Sequence, residues 1–247
     1  MLLLKMFQRK WLVATLLVFA GTALCVRLGI WQLDRLQQRR AFKAQFEMAR
    51  TEPALDLNQD IPEDVAAMEW RAVTVTGNYD FANQVALRNQ YYDNQPGYHL
   101  LTPLLFGREA VIVDRGWIPA DGNSTPVDWR KYDEAASVNV SGQVRLGQTK
   151  PAFGGVADKL PENGARLAIW NNADLENIAG QIPYPVLPVY VQPVTDPADT
   201  VPPIPFQPEV EITEGPHMGY ALQWFTFATI LFVGYPFFLR KQERGSK

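Results

Sequence analysis

The chain has a single cysteine, Cys25, in 247 residues. One thiol excludes an internal disulfide, and no Cys-x-x-Cys pair exists for zinc or thiol exchange. Histidine is nearly as scarce: His99 and His217 are the only two, and they are far from metal-site spacing. No Gly-x-Ser-x-Gly, His-Glu-x-x-His or Walker phosphate loop occurs. Ser124, Ser137 and Ser141 have no histidine close by, so a Ser-His-Asp arrangement would have to use His99, which sits inside a strand-like run. No repeat of fixed period is present. The expectation from these absences is a protein that is not an enzyme.

Basic charge is missing from the middle. Residues 36–215 carry 14 basic and 24 acidic groups, a net of −10, whereas residues 1–35 are +4 and residues 216–247 are +3. So acidic a body argues against nucleic acid as a partner, because phosphate binding needs a basic face.

Two long apolar runs frame that body. Gly219 to Leu239 is 21 residues without charge, about the length that crosses a ~30 Å hydrocarbon core at ~1.5 Å per residue. Trp11 to Val26 is also uncharged, and after Arg27 the chain stays apolar to Leu33. A basic start and an apolar core could be read as a cleaved signal, but no small-x-small site follows at a sensible place. A retained span over residues 11–33 fits better, with helical pattern continuing to about Met48 and limited by Pro53. Four basic residues follow the second span, so the positive-inside rule puts both termini in the cytoplasm and the body outside. The organisation expected is 1–10 cytoplasmic, 11–33 span, 34–216 periplasmic domain, 217–239 span and 240–247 cytoplasmic, in a bacterial inner membrane.

The body reads as β-rich. Strands are expected over Trp70–Thr76, ending at a Gly77-Asn78 turn, and over Val85–Asn89, Tyr98–Leu105, Ala110–Asp114 and Ser137–Leu146. Ala173–Ala179 reads as a short helix with Asn172 as its N-cap. Pro185–Gln192 reads as a last strand, placed at an edge by its prolines. Asn123–Lys131 and Phe153–Glu162 are polar and turn-rich, and look less ordered. Thr195–Pro208 holds five prolines, with Pro193 just upstream, and reads as a semi-rigid spacer. The fold class expected is two transmembrane α-helices flanking a β-rich (α+β) external domain, a small antiparallel barrel or sandwich.

Few residues carry candidate chemistry. His217 sits at the mouth of the second span. It is either an interfacial polar residue beside the belt aromatics Tyr220 and Trp224, or an axial haem ligand at the outer face. Tyr220, Gln223 and Trp224 fall on its side of the helix, where they could pack a porphyrin. Arg27 lies inside the first apolar run. It either snorkels to the headgroups or pairs with a carboxylate such as Asp34 or a haem propionate. Trp31 is a belt residue four positions on. His99 reads as a satisfied core or surface histidine. Arg115-Gly116-Trp117 is either a strand-end turn with an anchoring indole or a rim contact for a partner protein.

Several segments together resemble one family. LGIWQLDRL (28–36) is similar to the Leu-Gly-x-Trp-Gln-x-x-Arg signature of the surfeit-locus family of cytochrome c oxidase assembly factors. The resemblance recurs in WRAVTVTGNYD (70–80), GYHLLTPL (97–104), VDRGWIP (113–119), PVLPVY (185–190) and HMGYALQWFTFA (217–228). It implies two spans, an external domain and a role in maturing haem–copper oxidase. Bacterial members bind haem a and help deliver it to the oxidase's main subunit. The family histidine matches His217, the first-span tryptophan and arginine match Trp31 and Arg35, and Gly77, Tyr79, Arg115, Gly116 and Trp117 match further motifs. Gly215-Pro216 departs from the Asn or Arg that many members carry before the histidine. The expected cargo is haem a, with His217 as the iron ligand, Arg27 or Arg35 meeting the propionates, and Trp31, Tyr220 and Trp224 packing the ring. Arg115 and Trp117 are the expected partner contacts. The partners are the oxidase main subunit, other assembly factors and membrane lipid. The alternative is a non-haem protein-binding scaffold that stabilises oxidase assembly intermediates.

Overall fold

The computed structural model describes residues 6–135, 137–151, 154–162, 164–195, 198–205 and 212–245. The chain divides into two compact units, Met1–Gln45 with Val210–Lys247, and Phe46–Glu209.

The first unit is a pair of helices. Helix α1 runs Arg9–Thr51 and helix α3 runs His217–Gly245; the short α2 lies in the other unit. They pack antiparallel: Trp11 meets Phe238, Phe19 meets Phe232, and Gln32 meets His217. The seam is built from small or polar residues on α1, Thr15, Cys25 and Gly29, followed by Leu36. A Cβ on Gly29 would lie 2.7 Å from the Phe225 ring, so glycine makes room for that ring. Thr15 Oγ1 donates to the Met6 carbonyl (2.8 Å), which leaves the Tyr235 hydroxyl to donate to it (2.7 Å). Away from the seam both helices present exposed Leu, Phe, Ile and Val side chains. Both are long and apolar enough to cross a membrane, and they mark the chain as membrane-anchored.

The second unit is a β-barrel with small additions. Its strands are β1 (Leu55–Asp56), β2 (Ala72–Tyr79), β3 (Val85–Tyr92), β4 (Gln95–Phe106), β5 (Glu109–Pro119), β6 (Ser137–Leu146), β7 (Ile169–Trp170) and β8 (Val186–Pro193). Helix α2 is Leu175–Ala179. The order β2-β6-β8-β5-β4 closes into a ring where β2 pairs with β4 at Asn78↔Leu105 and Tyr79↔Leu104. Four of the five ladders are antiparallel, and β5–β8 is parallel. β1 lies beside β2, while β3 and β7 extend the sheet beyond β4. The interior is valine-rich: Val73, Val75, Val111, Val113, Val140, Val144, Val189 and Val191 are buried with Leu104. Such side chains suit the pleated, inward-facing positions of a small barrel.

The expected two-helix, β-rich architecture is present, with several local differences. β2 does not stop at Gly77-Asn78. It runs on to Tyr79, because a Cβ at 77 would collide with the Leu105 backbone and glycine permits the closure. Nor does β2 start at Trp70, whose φ of +76° is left-handed; the Arg145 guanidinium lies 3.5 Å over its ring. β8 is not an edge strand but is paired on both sides. Pro188 sits where the β5–β8 register shifts, so no ladder hydrogen bond is asked of it. The α2 N-cap is Asp174, whose side chain accepts from the Asn177 amide; Asn172 is tied instead to Asp158. Within the turn-rich Asn123–Lys131 stretch, Trp129 is fully buried and donates from Nε1 to the Asn123 carbonyl (2.8 Å). In the proline-rich segment Ile204 bridges to Trp117. Phe153 and 206–208 lie outside the described residues.

Candidate functional site

His217 opens α3. Gly215, at φ +68°, and Pro216 turn the chain into the helix, and the Tyr220 amide donates to the Pro216 carbonyl (3.1 Å). A proline fits there because its missing N–H would have no intrahelical acceptor. The imidazole is half-buried, with Nδ1 2.8 Å from Gln32 Oε1 on α1. An amide oxygen only accepts, so Nδ1 is the donor in this contact, and in a neutral ring the lone pair is then on Nε2. Among the described residues nothing is hydrogen-bonded to Nε2. A neutral imidazole with one nitrogen tied and the other bare is the form that coordinates a metal.

Helical geometry places the other candidates. At about 100° per residue, Arg35 lies about 60° and Trp31 about 100° round α1 from Gln32, in one sense. Trp224 lies about 20° and Tyr220 about 60° round α3 from His217, in that same sense. In an antiparallel pair equal senses turn toward the same side, so these four side chains and His217 share one face. The Arg35 guanidinium stacks 5.6 Å from the Trp31 ring centre and donates to Gln38 Oε1 (3.0 Å). Arg27 lies farther round α1 in the same sense, about 140° from Gln32 and about 40° beyond Trp31, and is exposed as Arg35 and Trp31 are.

Arg115 and Trp117 are placed differently from a rim contact. The Arg115 side chain is 1% exposed. Its Nη1 donates to Gln84 Oε1 (2.9 Å), its Nε to Glu134 Oε1 (2.9 Å) and its Nη2 to the Tyr132 carbonyl, while the Tyr79 and Phe81 rings flank it. Burial, together with the Glu134 carboxylate, pushes the Tyr79 phenol well above its ordinary range against the opposing pull of Arg115. Trp117 is buried, exchanges two backbone hydrogen bonds with Ile204 (2.7 and 2.9 Å) and has Tyr92 against its indole. Both residues hold the barrel together. A cleft of about 560 Å³ opens beside Arg115, lined in part by Tyr79, Lys131, Glu134, Asn139 and Asp199.

His99 is a satisfied core histidine, as the first of its two readings expected. Its Nδ1 lies 2.9–3.0 Å from both oxygens of Asp114, whose Oδ1 also accepts from the Gly116 amide (3.1 Å). Burial lowers the imidazole pKa, but the charge and hydrogen bond of Asp114 outweigh it and leave the group raised.

Comparison with known proteins decides the lineage. Residues 19–229 match the family model described as the SURF1 family. The chain belongs to the SURF1 family. A SURF1-like protein of Rickettsia felis is 25% identical over 232 residues, covering 91% of this chain and 96% of the relative. A SURF1-like protein of Monosiga brevicollis is 25% identical over 231 residues, covering 87% and 83%. Surfeit locus protein 1 of Arabidopsis thaliana is 21% identical over 281 residues, covering 92% and 77%. The SURF1 match spans both helices and the barrel, from α1 through to Thr229 in α3. Gln32 was missed in the sequence, although it stands inside the quoted LGIWQLDRL segment. The available signal was a polar amide in an otherwise apolar run, which in a membrane helix is an expensive choice.

Proposed function

We propose that this chain is a membrane-anchored, non-catalytic assembly factor for cytochrome c oxidase, which holds haem a and aids its transfer to the oxidase main subunit. The observation that carries the reading is His217 at the mouth of α3, with Nδ1 held by Gln32 and Nε2 without a hydrogen bond among the described residues. The surrounding residues fit the group. Haem iron takes a neutral imidazole as axial ligand. Trp31, Tyr220 and Trp224 offer ring faces on the same side, and Arg35 offers a cation for a propionate. Family membership supports the oxidase role through the surfeit-locus resemblance.

The topology in this reading follows the flanking charges. Arg240, Lys241, Arg244 and Lys247 follow the second span, so both termini are cytoplasmic and the barrel is periplasmic in a bacterial inner membrane. His217 then lies at the outer face, beside the barrel side of the bilayer.

A visible absorption spectrum of the detergent-purified full chain, made in cells that synthesise haem A, tests this. A haem a band that disappears in His217→Ala, with the far-ultraviolet spectrum unchanged, is the expected result. Haem retained at full stoichiometry in that variant overturns the ligand assignment. A colourless parent overturns the haem reading in favour of the protein-binding scaffold.

A further inference from the structure

We propose that Gln32 is a positioning residue for His217: its side-chain carbonyl holds the imidazole as the Nδ1–H tautomer, while Gly215 keeps the Nε2 edge clear for a metal-bearing ligand. The identity of that ligand rests on the haem reading above; the tautomer does not.

The geometry is direct. Gln32 Oε1 is 2.8 Å from His217 Nδ1, across the helix seam. A ligating histidine depends on such an outer partner, which fixes the ring orientation and decides which nitrogen bears the proton. An imidazole without one favours the Nε2–H form, which would place a proton where the metal needs a lone pair. The other edge of the ring is bounded by Gly215. A Cβ there would sit 3.3 Å from His217 Cδ2 and 3.4 Å from Nε2, pressing on the coordinating edge. The φ of +68° at Gly215 also favours glycine over any side chain. The Gly215-Pro216 step before the histidine thereby gains a reason: it starts the helix while leaving Nε2 uncovered.

The chain has only two histidines, so nitrogen-15 NMR of the full chain in detergent, without haem, separates His217 from His99. The pH is set well above the ordinary imidazole value so that the ring is neutral. The expected parent spectrum has Nε2 unprotonated and Nδ1 protonated. Gln32→Leu shifts the population toward Nε2–H, and Gln32→Glu, which keeps an acceptor oxygen, preserves the parent form. In parallel, added haem binds Gln32→Leu about 10–100-fold more weakly than the parent, and Gln32→Glu recovers most of that loss. A parent ring found as Nε2–H, or a tautomer unchanged in Gln32→Leu, overturns the proposal. Failure of the parent to bind haem defeats the haem reading separately, because the tautomer still decides the role of Gln32.

Discussion

His99 and Asp114 form a buried pair between adjacent strands β4 and β5, with side chains 8% exposed on each and Nδ1 within 3.0 Å of both carboxylate oxygens. The partnership raises the His99 pKa against the opposing effect of burial. The folded protein therefore binds a proton that the unfolded chain has released once the pH exceeds the ordinary value of 6.5. The stabilisation is complete below 6.5 and is lost as the pH rises through the folded pKa. The melting temperature of the full chain should fall over that window above 6.5, and His99→Gln should flatten the slope. His99→Ala, which strands Asp114 inside, should cost about 3–5 kcal/mol by denaturant titration. A melting temperature that rises over the same window would refute the sign.

Gly116 stands at φ +116°, where a Cβ would collide with the Ile204 carbonyl group and the Pro205 nitrogen. Two backbone hydrogen bonds between Trp117 and Ile204 hold that approach together. Gly116→Ala should break the bridge and cost about 1–3 kcal/mol, the usual range for forcing a side chain into such a conformation. Limited proteolysis should then cut faster around residues 198–205 than in the parent. An unchanged cleavage pattern with a lowered melting temperature would place the strain elsewhere.

Arg115 is a buried cation whose planar fork serves three acceptors at once: Gln84, Glu134 and the Tyr132 carbonyl. Lysine carries the charge but cannot reproduce the fork. Arg115→Lys should therefore destabilise the barrel by about 2 kcal/mol or more, the scale of losing hydrogen bonds to a charged group. Chemical denaturation measures that loss. A wild-type midpoint with weakened oxidase capture would return Arg115 to the partner-contact role expected of it.

Much of this architecture is legible in residue patterns. The two apolar runs, the alternating valines and the AVIVD segment each imply their element through burial alone. What is not legible depends on partners distant in the chain. Pro188 reads as an edge residue because proline cannot donate, yet a register shift against β5 absorbs it. Trp129 lies in a polar stretch, and its burial depends on the barrel wall that receives it. Within LGIWQLDRL the tryptophan and arginine draw attention, whereas the amide of Gln32 matters through one acceptor atom facing a side chain 185 positions away. Arg27 and Arg35 look equivalent as charges near the outer end of a span. Their order round α1, Arg35 nearer His217 and Arg27 about 80° farther in the same sense, follows only once Gln32 fixes which side of α1 faces His217.

Gly29 carries the last prediction because it sets the spacing of the two helices near the proposed haem face. It is buried in the seam, and a Cβ would come within 2.7–3.0 Å of three atoms of the Phe225 ring. Gly29→Leu should push α1 and α3 apart one turn below the Gln32–His217 contact, since close helix approach in a membrane depends on small residues. A cysteine pair at 32 and 217 gives a direct readout. In a Gly29 background it should cross-link readily under mild oxidation, and with Gly29→Leu the yield should drop severalfold. The barrel lies in a separate compact unit. Its fast-exchanging and protected amides should therefore be unchanged in the same variant by hydrogen exchange. Equal cross-linking in both backgrounds would show that Phe225 yields to the larger side chain and that Gly29 does not set the spacing.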